Sequence, residues 1–357
     1  MRTRWIVVSF LLAAGAAAAC EEGTLGTSAP ARAHGIVNGV VEEGFPSTVA
    51  LGTEMGGPSA MCTGNLLTPR VLVSAAHCGD GIPIELVQSM GVAFFGTDVS
   101  AADAAIGFDD LIIHPDYVPL DSAAGELGAF DLSIFVLKED APVDAEPTWF
   151  NREAITDEEI GSAIKSVGFG ITGPDNNDSG IKRSADMLIA EYDDNFLISK
   201  NFYNPNNANI CSGDSGGPQF FFRYGFWIEA AVHSWRDQYC TVESGSTRVD
   251  IATEWILDQI EAVHGTRDVC EINGWYEDGV CHPFCDLADP DCAPDGGPEE
   301  DGGTDTDADA GPDGGDDMGL TGGCGCSISQ RSPSAALSAL ALALIAAFVL
   351  ARRRGRR

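Results

Sequence analysis

The chain has 357 residues, 54 of them acidic against 20 basic, for a formal net charge of −34. That length accommodates one large catalytic domain with appendages, or two ordinary domains. Phosphate recognition needs clustered Lys and Arg, and the only dense basic run is Arg352–Arg357 at the extreme C-terminus, which argues against a nucleic-acid partner.

In chain order, the first element is an export signal at 1–20. Arg2 and Arg4 precede an apolar run from Trp5 to Leu12, which passes into an Ala-rich stretch ending at Cys20. Two fates fit that boundary: lipidation of Cys20 after cleavage, or plain signal-peptidase cleavage in the Ala-rich stretch. Either places the mature chain in an oxidising compartment where disulfides persist. Of the 11 cysteines, loss or lipidation of Cys20 leaves an even number. Residues 21–35 form a short leader without a strong period, expected to be a propeptide.

From Ile36 to His264, short β-rich runs alternate with Gly, Pro, Asn and Asp. Val71-Leu72-Val73, Gly91–Phe95, Leu132–Leu137 and Phe226-Trp227-Ile228 are examples. Close spacing of short strands predicts an all-β barrel or sandwich. Ala252–Val263 differs: Trp255, Ile256, Ile260 and Val263 stand near helical spacing, which predicts one closing helix.

Three segments of this region carry chemistry. Gly213-Asp214-Ser215-Gly216-Gly217-Pro218 sets a Ser between glycines, which lets the backbone approach a substrate carbonyl closely. Ser74-Ala75-Ala76-His77-Cys78 places a His after small residues at the end of an apolar strand. Asp131 opens the apolar run Leu132–Leu137, so its carboxylate enters a buried setting. A nucleophilic alcohol, a base to take its proton and an acid to orient the base are what acyl transfer requires.

These motifs, with Ile36-Val37-Asn38-Gly39, Gly168-Phe169-Gly170-Ile171-Thr172 and Ser234-Trp235, resemble the trypsin/chymotrypsin serine peptidase family across Ile36–His264. The resemblance implies an all-β fold of two six-stranded antiparallel barrels with a C-terminal helix, and a serine-type endopeptidase acting on protein or peptide substrates without a cofactor. It makes His77, Asp131 and Ser215 the catalytic triad, and the N–H groups of Gly213 and Ser215 the oxyanion hole. Cys62–Cys78 would brace the His loop, and Cys211–Cys240 would tie the nucleophile turn to the pocket wall. Cleavage before Ile36 by an activating protease would pair its freed amine with Asp214. The residue before the cut is Gly35, so that activator is not trypsin-like.

The resemblance also points to the specificity pocket. Ser234, Trp235 and Arg236 would pair with substrate backbone. Asn209 stands at the pocket base in place of the Asp that attracts Lys and Arg. His233 and Ser212 resemble the glutamate-specific members, with Arg236 adding charge at the mouth, and this implies a preference for acidic residues before the cut. In the other reading, His233 is a packed wall residue of a neutral pocket. The rival for the whole domain is a non-catalytic binding or adhesion protein on the same fold.

A Cys-rich module at 268–293 follows, with Cys270, Cys281, Cys285 and Cys292. Three readings stand for it: two disulfides with solvated acids, a calcium site from Asp286, Asp289 and Asp291 as in the Notch-type repeats it weakly resembles, or a four-Cys zinc site. The protease reading itself calls for no metal. Residues 294–323 are an acidic Gly/Asp linker too polar to fold; ten acidic residues and no basic one lie between Asp295 and Asp317. The tail at 324–357 joins Cys324-Gly325-Cys326 to the apolar run 335–351 and then arginines, and it resembles the MYXO-CTERM sorting tail. The run is at the short limit for a membrane span, with the arginines on the cytoplasmic side. Envelope display through this membrane segment, with release as an alternative, is the expected location.

Overall fold

The structure, a computed structural model, describes residues 36–120 and 128–292. The export signal, the leader, the acidic linker and the sorting tail with its apolar run all lie outside the described residues. No helix among the described residues is long and apolar enough to cross a membrane.

After a two-residue strand β1 (Val40–Val41), six strands follow: β2 (Thr48–Thr53), β3 (Ser59–Thr68), β4 (Val71–Ser74), β5 (Gly91–Phe95), β6 (Ala104–Ile113) and β7 (Ser133–Leu137). They close into an antiparallel barrel in the order β2-β3-β4-β7-β6-β5. A short helix, α1 (Ile84–Met90), sits between β4 and β5. The uninterrupted apolar runs of β4 and β7 now have a cause. Side chains alternate across a strand, and in these two strands both faces are buried. Leu72, Phe135 and Leu137 fill the barrel interior. Val71, Val73, Ile134 and Val136 face a second core shared with Trp149, Phe150, Ile228 and Val232.

The second half contains β8 (Ala163–Gly168), β9 (Arg183–Leu188), β10 (Glu191–Tyr192), β11 (Phe196–Lys200), β12 (Pro218–Arg223), β13 (Phe226–Arg236) and β14 (Glu243–Arg248). The expected second six-stranded barrel is corrected here. These strands form one eight-stranded sheet in the order β1-β9-β8-β12-β13-β14-β11-β10, extended at its edges by the two-residue β1 and β10. The sheet curls back on itself, the Ala190 N–H just after β9 donating to the Ile198 carbonyl of β11 at 2.8 Å and the Ser199 hydroxyl of β11 donating to the Leu188 carbonyl of β9 at 2.9 Å.

The closing helix is α2 (Thr253–His264), with Ile256, Leu257 and Ile260 buried. It ends on Gly265 in the left-handed region (φ 78°), whose N–H caps the Glu261 carbonyl. A last helix, α3 (Val269–Asn273), begins the Cys-rich segment. That segment is no free appendage. Val269 and Cys270 are fully buried in the shared core, and Phe284 stacks on Trp149 with ring centroids 4.8 Å apart. Its cysteines pair as Cys270–Cys285 and Cys281–Cys292. The three acids named for calcium are engaged elsewhere. Asp286 pairs with Arg152 at 2.8 Å, Asp289 accepts the His282 N–H at 2.7 Å, and Asp291 accepts the Gly279 N–H at 2.8 Å.

Candidate active site

Strand register brings His77 and Asp131 together. β4 and β7 pair antiparallel with Ser74 opposite Ser133, so the chain leaving β4 passes the chain entering β7. His77 lies three residues beyond Ser74, in a single turn of 3-10 helix at Ala76–Cys78. Asp131 lies two residues before Ser133, at the centre of a tight turn in which Leu132 N–H donates to the Phe130 carbonyl at 2.7 Å. Phe130 takes a positive φ of 45° there and stacks on His114. A bulky residue in that region is strained. The strain sits beside the residue whose side chain must be aimed.

The Asp131 carboxylate is buried and collects three donors. The His77 N–H reaches Oδ1 at 2.9 Å, His77 Nδ1 reaches Oδ2 at 2.7 Å, and the Ser234 hydroxyl reaches Oδ2 at 2.6 Å. With its proton on Nδ1, the imidazole keeps a free lone pair on Nε2. The ring is 36% exposed, open enough for a substrate to reach. The cleft beside it, about 270 Å³, is walled by Tyr117, Val118, Pro119 and Leu120. Tyr117 remains a neutral donor there, because burial and the charges of Asp131 and Asp80 push its phenol up to about 12.

Ser215 sits on a turn locked to the barrel. Thr63 N–H donates to the Ser215 carbonyl at 2.8 Å, and the Thr63 hydroxyl donates to the Gly213 carbonyl at 2.9 Å. The Cys78 sulfur, next in sequence to His77, lies 3.6 Å from the Ser215 carbonyl oxygen. Joined to Cys62 in a disulfide, it carries no proton to donate. Gly216 has no alternative: at φ 83°, an added Cβ would stand 2.3 Å from the Thr63 carbonyl oxygen. Among the described residues, the N–H groups of Gly213 and Ser215 find no acceptor, which leaves two donors on one turn.

Asp214 points inward and is fully buried. Gly170 and Cys211 each donate a backbone N–H to it at 2.8 Å. Burial pushes its carboxyl up to about 7, with those two bonds and the Arg183 charge pulling the other way. Ile36 is fully buried among Ile189, Ala208 and Ile210. The segment after it bridges to Asn209, whose N–H donates to the Val37 carbonyl at 3.2 Å.

The residues expected to form the pocket divide into rim and interior. At the rim, Arg236 Nη2 donates to the Ser212 hydroxyl at 2.7 Å. In the interior, the Asn209 amide nitrogen is buried and unpartnered among the described residues. His233 is fully buried, its Nδ1 3.1 Å from the Ser246 hydroxyl. Burial drives its imidazole down to about 3, so the ring is neutral at ordinary pH. Trp235 packs edge-on against Phe196, and Cys211 and Cys240 are bonded beneath. Sequence reasoning named Ser234 for the substrate strand and missed its bond to Asp131. It also missed Thr63 and Tyr117, which no local motif marks.

Comparison with known proteins bears on the same region. The family model described as Trypsin matches residues 36–256. A "CLIP domain-containing serine protease B10" of Anopheles gambiae is 27% identical over 229 residues, 56% of this chain and 61% of the relative. A "Trypsin" of Saccharopolyspora erythraea is 27% identical over 184 residues, 48% of this chain and 75% of the relative. The chain thus spans less than two thirds of the mosquito protein's length.

Proposed function

Because the chain belongs to the trypsin family of serine peptidases, we propose that it is a serine endopeptidase in which Ser215 is the nucleophile, His77 the base and Asp131 the orienting acid. The observation that supports this most directly is the 2.7 Å bond from His77 Nδ1 to the buried Asp131 carboxylate. It fixes the imidazole with Nε2 free to take the Ser215 proton as Oγ attacks the carbonyl carbon. The N–H groups of Gly213 and Ser215 receive the negative charge that develops on the carbonyl oxygen. The imidazolium returns its proton to the leaving amine. Water then attacks the acyl carbonyl and loses a proton to His77, which passes it to Ser215 Oγ as the carboxylic acid product leaves.

The test is covalent labelling of Ser215 by a fluorophosphonate, with peptide turnover alongside. Ser215→Ala is expected to abolish both and lower kcat by several orders of magnitude. Wild-type turnover in that variant would overturn the assignment. Activation is part of the same reading. Gly35→Arg makes the bond before Ile36 cleavable by trypsin, and cleavage is expected to raise activity through the Ile36 amine and Asp214. Activity unchanged by the cut would overturn that part.

The pocket reading is a preference for Glu, then Asp, before the scissile bond. A carboxylate loses hydration on entry, and donors must replace the water. Arg236 and Ser212 at the rim and the unpartnered Asn209 amide supply them, while His233 serves as a neutral wall. Export to the envelope completes the proposal, and four disulfides among the described residues support an oxidising location. Removing 324–357 is expected to release the protease into the medium; continued membrane association would point to a lipid on Cys20.

A further inference from the structure

A buried cation adjoins the nucleophile turn and has no part in the mechanism above. Arg183 opens β9 and is only 5% exposed. Its Nη1 donates to three carbonyls, Gly170 at 3.4 Å, Asp178 at 3.2 Å and Ile181 at 3.2 Å. The first of these matters most. Gly170 offers its carbonyl to Arg183 and its N–H to Asp214 Oδ1, so one residue joins guanidinium and carboxylate. The packing there is tight. A Cβ on Gly170 would meet Asp214 Cγ at 2.6 Å, and one on Gly168 would meet Asp214 Oδ1 at 2.3 Å.

We propose that Arg183 is a positioning residue for the nucleophile turn: a resident countercharge that holds Asp214 ionised and in place, so that the turn does not depend on the Ile36 amine alone. This rests on the endopeptidase reading above. A buried carboxylate without a partner is costly, and the Asp214 carboxyl, pushed up to about 7 by burial, has Arg183 as the cation drawing it down. The other charges facing the guanidinium are Asp178 and Asp98. Lys182, next in the chain, turns away to the Phe45 carbonyl at 3.0 Å, with Glu42 and Asp103 as its neighbouring charges.

The two cations differ in one testable way. An α-amine has an ordinary pKa of about 7.7–8.0 and is neutral well above it, whereas a guanidinium stays charged. If Arg183 supports the turn, the cleaved wild-type chain loses less kcat/KM between pH 8 and pH 10 than the same chain without the Arg183 charge. Arg183→Gln removes the charge and is expected to lose at least about ten-fold over that interval, at whose upper end roughly 99% of an ordinary α-amine is deprotonated. Arg183→Lys keeps a cation without the planar fork. It is expected to follow the wild-type pH profile while melting at a lower temperature.

An alkaline loss already present in wild type and unchanged in Arg183→Gln would overturn the proposal, as would an Arg183→Gln profile that tracks wild type. Melting curves over the same pH range in a Ser215→Ala background give the same comparison without catalysis. If fluorophosphonate fails to label cleaved wild type at any pH, the endopeptidase reading falls, and the melting curves still decide whether Arg183 supports the turn.

Discussion

One carboxylate, Asp131, carries three donors, and the Ser234 hydroxyl at 2.6 Å is the one that is not part of His77. A hydrogen bond to a charged group contributes about 1.5–3 kcal/mol. Ser234→Ala is therefore expected to lower kcat about ten-fold or more with little change in KM, measured on one peptide substrate. At the pocket, Arg236→Gln should erase most of the preference for Glu over Gln before the cut, while His233→Val should chiefly lower stability. A matched peptide series in kcat/KM separates them; a preference that survives the loss of Arg236 and disappears with His233 would restore the imidazole as the recognition group. His77, Asp131 and Ser215 could be proposed from the sequence because each sits in a local motif. Thr63, Arg183 and the bond from Ser234 to Asp131 were not, because what these residues touch is decided by strands distant in sequence.

Among the elements, the Cys-rich segment departs most from what its sequence suggests. Four closely spaced cysteines mark it as a small separate module, yet its apolar residues are spent on the catalytic domain. Trp149 is sandwiched there, with the Phe284 ring on it at 4.8 Å and the Arg152 guanidinium 4.1 Å from its centroid. Asn273 adds a donor to the Leu67 carbonyl at 3.0 Å. A fully buried Phe→Ala change costs about 3–5 kcal/mol. Phe284 is partly buried, so Phe284→Ala is expected to cost on the order of 2 kcal/mol, read by urea unfolding of the full chain. An unchanged midpoint would mean that the segment only rests on the surface. Aromatic residues at 275 and 284 give no local sign of their partner, which is why this docking escaped the sequence. The strand runs and the closing helix were legible from period, and the pairings Cys62–Cys78 and Cys211–Cys240 were implied by the family resemblance. The open eight-stranded sheet was not, since two-residue edge strands carry no pattern.

Across the whole molecule, the two halves meet on a buried acid. Glu229 of β13 is fully buried and accepts from the Asn65 amide of β3 at 2.7 Å. Burial outweighs that bond and pushes its carboxyl up to about 8. An acid whose folded pKa is raised binds its proton more tightly in the folded state. Its contribution is fully present below the unfolded value of about 4.5 and is lost as pH rises through about 8. Glu229→Gln is expected to raise Tm at pH 8.5 more than at pH 5; an equal shift at both would show that Glu229 stays ionised throughout. The C-terminal disulfides have a separate consequence. Cys270–Cys285 and Cys281–Cys292 interleave, so any single backbone scission between Cys270 and Cys292 is spanned by at least one of them. A nick there leaves both fragments covalently joined, and whatever follows Cys292 stays leashed to the catalytic domain until the disulfides are reduced.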